Sequence, residues 1–202
     1  MKDAVLYIHG KGGSSEEAAH YVPLFPSACV SGIGLKSFTP REAGREIHEA
    51  AERLRAGCDR LFLIANSIGA FFSFYSEPGE LFEHAFLISP VIDMVRLIGG
   101  MMARSGVTEA ELKEKRSVVT DSGDELSWDY LSFVRDNPVR WDVPTDILYG
   151  SGDNITPYAT VASFARAHRA GLTVMDNGEH WFHTEEQMLF MDNWIRKCNY
   201  ED

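Results

Sequence analysis

Ser67 lies between small residues at a point where an apolar strand must turn into a helix. Residues 60–64 before it form a continuous apolar run that is typical of a buried parallel strand. Residues 70–75 after it are apolar enough for a buried helix. Ala65 and Gly69, two positions before and after the serine, permit a sharp turn that raises the hydroxyl above the sheet. The spacing therefore makes Ser67 a candidate nucleophile.

A serine hydroxyl is a weak nucleophile at neutral pH, so Ser67 needs partners elsewhere in the chain. Its pattern of small residues also fits an ordinary junction between a strand and a helix. Covalent catalysis requires a general base, an acid that orients the base, and hydrogen-bond donors for the oxyanion. Each of these groups is expected after a further strand.

The general base is predicted after the last strand, 172–175. His180 follows a Gly-containing loop there, and an imidazole can transfer protons because it titrates near neutral pH. His183 is the alternative base, and it could equally begin the next helix. The other histidines are predicted to be structural or to lie at a strand start or on polar helix faces: His9, His20, His48, His84 and His168.

The acid is predicted in the Gly-containing turn after the strand 145–149. Asp153 lies in this turn, at the carboxyl end of the strand. Aspartate also favours turns for purely conformational reasons, which is the simpler interpretation of the same residue. Asp146 and Asp176 are weaker candidates for the acid.

The oxyanion donors are predicted after the first strand, 4–8, in the glycine-rich turn 9–15. Glycine lets the backbone approach a substrate closely, so the Lys11 or Gly12 amide can point into the site. The second donor is predicted to be the Ile68 amide, at the unpaired N-terminus of the helix after Ser67. A glycine-rich turn can also bind phosphate, but neither nucleotide-binding glycine pattern occurs here.

Together these motifs resemble the α/β-hydrolase fold, and the chain resembles its small, carboxylesterase-like serine hydrolases. The resemblance rests on His9-Gly10, on the segment 65–69, on Gly152-Asp153 and on the segment 178–182. It implies a catalytic triad in the order Ser67, Asp153, His180. Ala65 departs from the pattern, which has glycine at that position.

The resemblance and the alternation of strands and helices predict an α/β protein. We expect a three-layer sandwich with a mostly parallel sheet of about six strands, helices on both faces and a small helical cap insertion. The predicted strands are 4–8, 29–34, 60–65, 84–88, 145–149 and 172–175. The predicted helices are 14–22, 40–57, 68–77, 155–170 and 184–198. Residues 1–202 are predicted to form a single domain.

Residues 91–142 are too long for a simple connection between a strand and a helix. They carry helical patterns at 91–98 and 108–113. Members of the resembled family often carry a cap at this place, so we predict a cap insertion that helps to form the substrate pocket. Its methionines at 94, 101 and 102 could line an apolar site, although ordinary packing is the more usual role of such residues.

Composition limits the function further. The 202 residues are 45% hydrophobic, which suits one domain with a large core. The net charge of -11 argues against nucleic acid and anionic membrane surfaces as partners. Three scattered cysteines indicate reduced thiols, and no signal peptide or transmembrane segment is recognisable, so we expect a cytoplasmic protein. No metal or organic cofactor is implied, and the oligomeric state is left open.

The expected chemistry is hydrolysis of a carboxylic ester with a small or medium acyl group. Thioesterase, amidase or peptidase, and acyltransferase activities would use the same residues. A hydrolase-like protein that binds a small ligand without turnover is the alternative outside the enzymes, although such a protein needs neither base nor acid.

Overall fold

The computed structural model describes residues 2–121 and 123–198 and contains a sheet of six parallel strands. These strands are β1 Asp3–Ile8, β2 Ala28–Ile33, β3 Arg60–Asn66, β4 His84–Ile88, β7 Thr145–Gly150 and β8 Gly171–Met175. Their order across the sheet is β2-β1-β3-β4-β7-β8. The six predicted strands are confirmed. Because all pairs are parallel, every carboxyl end lies at the same edge of the sheet.

The central strands are apolar along most of their length because helices cover both faces of the sheet. The helices are a 3₁₀ helix Ser15–Leu24, α1 Pro40–Arg55, α2 Ile68–Ser73, α6 Tyr158–His168 and α7 Glu185–Cys198. Val5 and Tyr7 of β1 pack in one core cluster with residues of the 3₁₀ helix and α7. Successive side chains of a strand point to opposite faces of the sheet. Helices α1, α2 and α6 pack on the face opposite to this core cluster.

Three predicted helices differ from the structure in type or length. The segment predicted as a helix at 14–22 is a 3₁₀ helix that contains Pro23, a residue without an N–H to donate. The helix predicted over 68–77 ends at Ser73. The helix predicted from residue 155 begins only at Tyr158, because its N-cap is Pro157 in an extended conformation and a proline disfavours a helical conformation of the residue before it.

Backbone contacts divide the chain into two compact units. The larger one comprises Met1–Ile92 and Arg140–Asp202, and the smaller one is Asp93–Val139. The smaller unit contains α3 Met94–Arg104, α4 Glu109–Lys115, an antiparallel hairpin of β5 Ser117–Val119 and β6 Glu125–Ser127, and α5 Trp128–Asp136. The hairpin and α5 were not predicted. The role of residues 91–142 as a cap stays a prediction.

The length and apolar character of the helices decide whether any of them could cross a membrane. Among residues 2–121 and 123–198, no helix has the length and apolar character needed to cross a bilayer.

Candidate active site

The backbone at Ser67 is strained in the way that a raised nucleophile requires. Ser67 connects β3 to α2 with φ 53° and ψ -118°, in a region that residues other than glycine rarely adopt. Neighbouring backbone holds this conformation. The Ser67 N–H donates to the Ile88 carbonyl at 2.9 Å, and the Ser67 carbonyl accepts from the Val91 N–H at 3.1 Å.

Two glycines explain how the turn at Ser67 fits against the end of β1. A Cβ on Gly69 would lie 2.6 Å from the His9 carbonyl oxygen and 2.7 Å from that of Ile8, so only glycine fits there. A Cβ on Gly10 would lie 3.3 Å from Ser67 Cβ, which places the glycine-rich turn directly beside the serine. Ala65, where the usual pattern has glycine, is fully buried in β3 with its methyl group accommodated.

The structure brings Ser67, His180 and Asp153 together in one line of hydrogen bonds. The Ser67 Oγ lies 2.7 Å from His180 Nε2, and His180 Nδ1 lies 2.7 Å from Asp153 Oδ2. An ionised carboxylate only accepts, so Nδ1 carries the proton and Nε2 is left to accept from the serine hydroxyl. The three residues are distant in sequence, and they meet because they follow β3, β7 and β8 at one edge of the sheet.

Asp153 is fixed in its orientation by the loop that follows it. Its side chain is fully buried, and its Oδ1 accepts from the Ile155 N–H at 2.7 Å and the Thr156 N–H at 3.0 Å. These two bonds occupy one carboxylate oxygen and turn the other toward His180. The imidazole is thereby held in the tautomer and orientation that a general base for Ser67 requires.

The alternative candidates for base and acid lie elsewhere. His183 Nδ1 hydrogen-bonds the carbonyl of Trp181 at 2.6 Å. Asp146 is at the amino end of β7, where its carboxylate lies 3.0 Å from His84 Nε2. Asp176 accepts from the Ser151 hydroxyl at 3.2 Å in the turn after β8. Among the described residues, none of these three alternative candidates thus belongs to the line of hydrogen bonds that ends at Ser67.

The turn that carries the predicted donor Lys11 is held through the Gly10 carbonyl. That oxygen accepts from the Gly13 N–H at 3.1 Å and from His9 Nδ1 at 2.7 Å. His9 donates from Nδ1 because its Nε2 accepts from the Leu35 N–H at 3.5 Å. In a trans peptide the Lys11 N–H points opposite to the Gly10 carbonyl, so His9 fixes the direction of this amide.

The second predicted donor, the Ile68 amide, belongs to the first residue of α2. N–H groups of the first helical turn have no partner within their own helix, and they lie at the positive end of the helix dipole. The position is suitable for an oxyanion that forms at a carbon bonded to Ser67 Oγ. The assignment of Lys11 and Ile68 as oxyanion donors stays a prediction.

Comparison with solved structures identifies the class of fold that this site occupies. The ferulic-acid complex of Est1E from Butyrivibrio proteoclasticus superimposes with a TM-score of 0.76 at 13% identity, over 98% of this chain and 88% of that one. Mouse alpha/beta hydrolase domain-containing protein 10 gives 0.72 at 14% identity, over 97% and 89%. The esterase Pf2001 from Pyrococcus furiosus gives 0.57 at 17% identity, over 96% and 83%.

The chain therefore has the α/β-hydrolase fold, as its sequence motifs predict. At these identities the likeness concerns the fold. No protein-family model matches the sequence, and no curated protein matches it.

Proposed function

We propose that this protein is a serine hydrolase that cleaves carboxylic esters with a small or medium acyl group. The observation that carries the proposal is the unbroken line of hydrogen bonds from the Ser67 hydroxyl through His180 to the buried Asp153. A protein that only binds a ligand has no need of this arrangement, nor of the strained backbone at the serine.

In the first half of the reaction, His180 Nε2 takes the proton of the Ser67 hydroxyl as Oγ attacks the ester carbonyl carbon. The carbonyl oxygen becomes an oxyanion, which the Lys11 and Ile68 amides stabilise. Asp153 accepts from Nδ1–H and stabilises the imidazolium that forms. The intermediate then expels the alcohol, which leaves with the proton from Nε2, and the acyl group stays on Oγ.

In the second half, water repeats the attack on the acyl-enzyme. His180 takes a proton from the water, whose oxygen bonds to the acyl carbon. The second oxyanion collapses, the bond to Ser67 Oγ breaks, and Nε2 returns its proton to the serine. The products are a carboxylic acid and the regenerated hydroxyl, so atoms and charge balance.

The neighbours in fold support this reaction class. One of the superimposed structures is described as an esterase, and another holds ferulic acid. The apolar helical patterns in residues 91–142 favour an uncharged acyl group of small or medium size, which is the narrower part of the proposal.

The reaction class is tested with a fluorophosphonate, which forms a covalent bond with an activated serine. We expect stoichiometric labelling of the native chain and of His183→Ala, no labelling of Ser67→Ala, and labelling of His180→Ala slower by at least about 100-fold. His183 is the matched control because it is a nearby histidine whose Nδ1 hydrogen-bonds the Trp181 carbonyl. Equal labelling of Ser67→Ala would show that Ser67 is not the nucleophile. Loss of labelling in His183→Ala would show that the general base has been assigned to the wrong histidine.

The substrate is tested with p-nitrophenyl esters of increasing acyl length. We expect kcat/KM to be highest for a small or medium acyl chain. Turnover confined to large anionic acyl thioesters would contradict the proposed substrate while leaving the nucleophile in place. A native chain that binds esters but is neither labelled nor active would instead be a binding protein.

A further inference from the structure

The end of β4 departs from a regular ladder where it passes Ser67. The register pairs Asn66 with Ile88, so a regular ladder would place Ser67 opposite Ser89. In a parallel pair, a residue donates its N–H to the carbonyl of the residue before its partner, and its own carbonyl accepts from the N–H of the residue after that partner. The first of these two bonds is present, because the Ser67 N–H donates to the Ile88 carbonyl at 2.9 Å.

The second bond of a regular ladder is impossible here, because the residue after Ser89 is a proline. Pro90 has no backbone N–H to donate. The Ser67 carbonyl accepts instead from the N–H of Val91, one residue further along the chain, at 3.1 Å. Two residues, Ser89 and Pro90, thus stand opposite Ser67 where a regular ladder has one. This arrangement is a β-bulge directly beside the candidate nucleophile.

The bulge depends on the backbone conformation of Ser89. Its φ is 44°, in the left-handed region that glycine adopts freely and that other residues adopt only with strain. One common type of bulge has glycine at this position for that reason. On the other side of β4, the Ser89 N–H donates to the Leu148 carbonyl of β7 at 2.9 Å. The strained segment is therefore held by hydrogen bonds to both neighbouring strands.

The side chain of Ser89 does not account for the serine at this position. It is fully buried, and within the part of the chain that the structure describes its hydroxyl has no hydrogen-bond partner. A buried hydroxyl without a partner is unfavourable. What this residue contributes to the site is therefore its backbone conformation.

The bulge determines the direction of the Ile68 amide. In a trans peptide the carbonyl of one residue and the N–H of the next point in opposite directions, and the described residues contain no cis peptide bond. Because the Val91 N–H holds the Ser67 carbonyl on one side, the Ile68 N–H points to the opposite side. Without the Val91 bond the peptide plane could rotate, and the amide would rotate with it.

We propose that Ser89 is a positioning residue, whose left-handed backbone forms the bulge that fixes the Ser67 peptide and thereby aims the Ile68 amide. The inference rests on the proposed function, in which this amide stabilises the oxyanion. Donors stabilise an oxyanion when they are held close to the position that it will occupy. The Lys11 amide is fixed in the same way through the Gly10 carbonyl, so both predicted donors are aimed through the carbonyl of the preceding residue.

The test compares Ser89→Thr and Ser89→Gly with the control Ser76→Thr. Threonine keeps the hydroxyl, but its β-branch disfavours a positive φ, whereas glycine adopts a positive φ without strain. Ser76 is the matched control because it is a buried serine whose φ is not positive. Its change to threonine adds the same methyl group to the core without disturbing a left-handed backbone.

The first measurement is hydrolysis of a p-nitrophenyl ester. We expect Ser89→Thr to lower kcat about 10- to 100-fold with KM within about twofold, because an oxyanion donor is misaligned but not removed. The Ki of phenylboronic acid, which forms a tetrahedral adduct with the serine, is expected to rise by the same factor as kcat/KM falls. Ser89→Gly and Ser76→Thr are expected to keep kcat and Ki within about twofold of the native values.

A second measurement does not require activity. In hydrogen exchange followed by NMR, the Val91 amide is expected to exchange at least about 10-fold faster in Ser89→Thr, because its bond to the Ser67 carbonyl is weakened. Exchange at Val91 is expected to stay at the native rate in Ser89→Gly and in Ser76→Thr, since neither change opposes the positive φ at residue 89.

Three results would overturn the positioning role. The first is unchanged exchange at Val91 or unchanged kcat in Ser89→Thr, and the second is an equal effect of Ser76→Thr. The third is a loss of kcat in Ser89→Gly as large as in Ser89→Thr, because the hydroxyl rather than the backbone would then be required. If Ser89→Thr does not fold, a loss of kcat of about tenfold or more in Ser89→Gly overturns the role, and a native kcat supports it.

Failure of the proposed function has a different signature. If the native chain is neither labelled by the fluorophosphonate nor active on esters, while exchange at Val91 accelerates in Ser89→Thr and not in Ser89→Gly, the proposed function fails. The fixing of the Ser67 peptide by the bulge then stands.

Discussion

Replacing Asp153 by asparagine removes a charge while leaving the shape of the site nearly unchanged. The orientation of the new amide is determined by the loop, because the Ile155 and Thr156 N–H groups both point at Oδ1. Turning the NH₂ group toward these donors would leave both N–H groups without this acceptor, at about 1–3 kcal/mol for the one at buried Thr156. The amide oxygen therefore stays with the loop, and its NH₂ group faces His180.

This orientation forces His180 into the wrong tautomer. Nδ1 must then accept from the amide, so the imidazole proton moves to Nε2, where it blocks transfer from the Ser67 hydroxyl. The same change of tautomer in a serine hydrolase lowers kcat by on the order of 10⁴-fold. At 1.36 kcal/mol per factor of ten, this is about 5.4 kcal/mol in the activation free energy.

The assay is kcat on a p-nitrophenyl ester, measured together with the thermal midpoint of unfolding. Asp176→Asn is the matched control, because Asp176 is an exposed aspartate in a neighbouring turn whose carboxylate accepts from Ser151. We expect this control to keep kcat within about twofold of the native chain. The reasoning is refuted if Asp153→Asn folds normally and keeps more than about a tenth of native kcat.

Two further predictions concern stability. Gly69→Ala places a methyl group against two backbone carbonyl oxygens at the end of β1, and we expect it to lower the free energy of unfolding in urea by about 1–3 kcal/mol or more. Gly99→Ala in α3 is the control, because a Cβ there meets nothing within 4 Å. We expect it to raise the free energy of unfolding by up to about 1 kcal/mol. Equal effects of the two changes would contradict this reasoning. Burial raises the pKa of both Tyr7 and Tyr21 above the ordinary value of 10, so the unfolded state loses these protons first. Their contribution to stability is complete below about pH 10 and falls at higher pH by up to about 1.4 kcal/mol per pH unit for each tyrosine. Urea unfolding from about pH 9 to pH 12 should therefore have a steeper slope for the native chain than for Tyr21→Phe, and identical slopes would disprove the assignment.

The strands and the order of the candidate triad could be predicted because both follow from local patterns. Strands buried on both faces are continuous apolar runs, and β4 and β8 lie within about one residue of their predicted bounds. Ser67, Asp153 and His180 each follow such a run and lie within two residues of glycine or another small residue. Parallel strands place their carboxyl ends at one edge, which is why the motifs predicted a common location before any distance was known.

Features that depend on distant contacts could not be predicted. The hairpin of β5 and β6 has only three residues in each strand, too few for a periodic pattern. The hydrogen-bond partner of the Tyr7 hydroxyl lies 10 residues away at Glu17. The sequence signal was a tyrosine within an apolar strand.

The positions of β3 and β8 in the sheet also determine when reactivity can arise during biosynthesis. Two other strands separate β3 from β8, and Ser67 and His180 are 113 residues apart in the chain. A growing polypeptide on the ribosome that has already folded its first four strands lacks the imidazole altogether. The His180 imidazole therefore cannot activate Ser67 until β8 has docked and placed the loop after it at the same edge of the sheet.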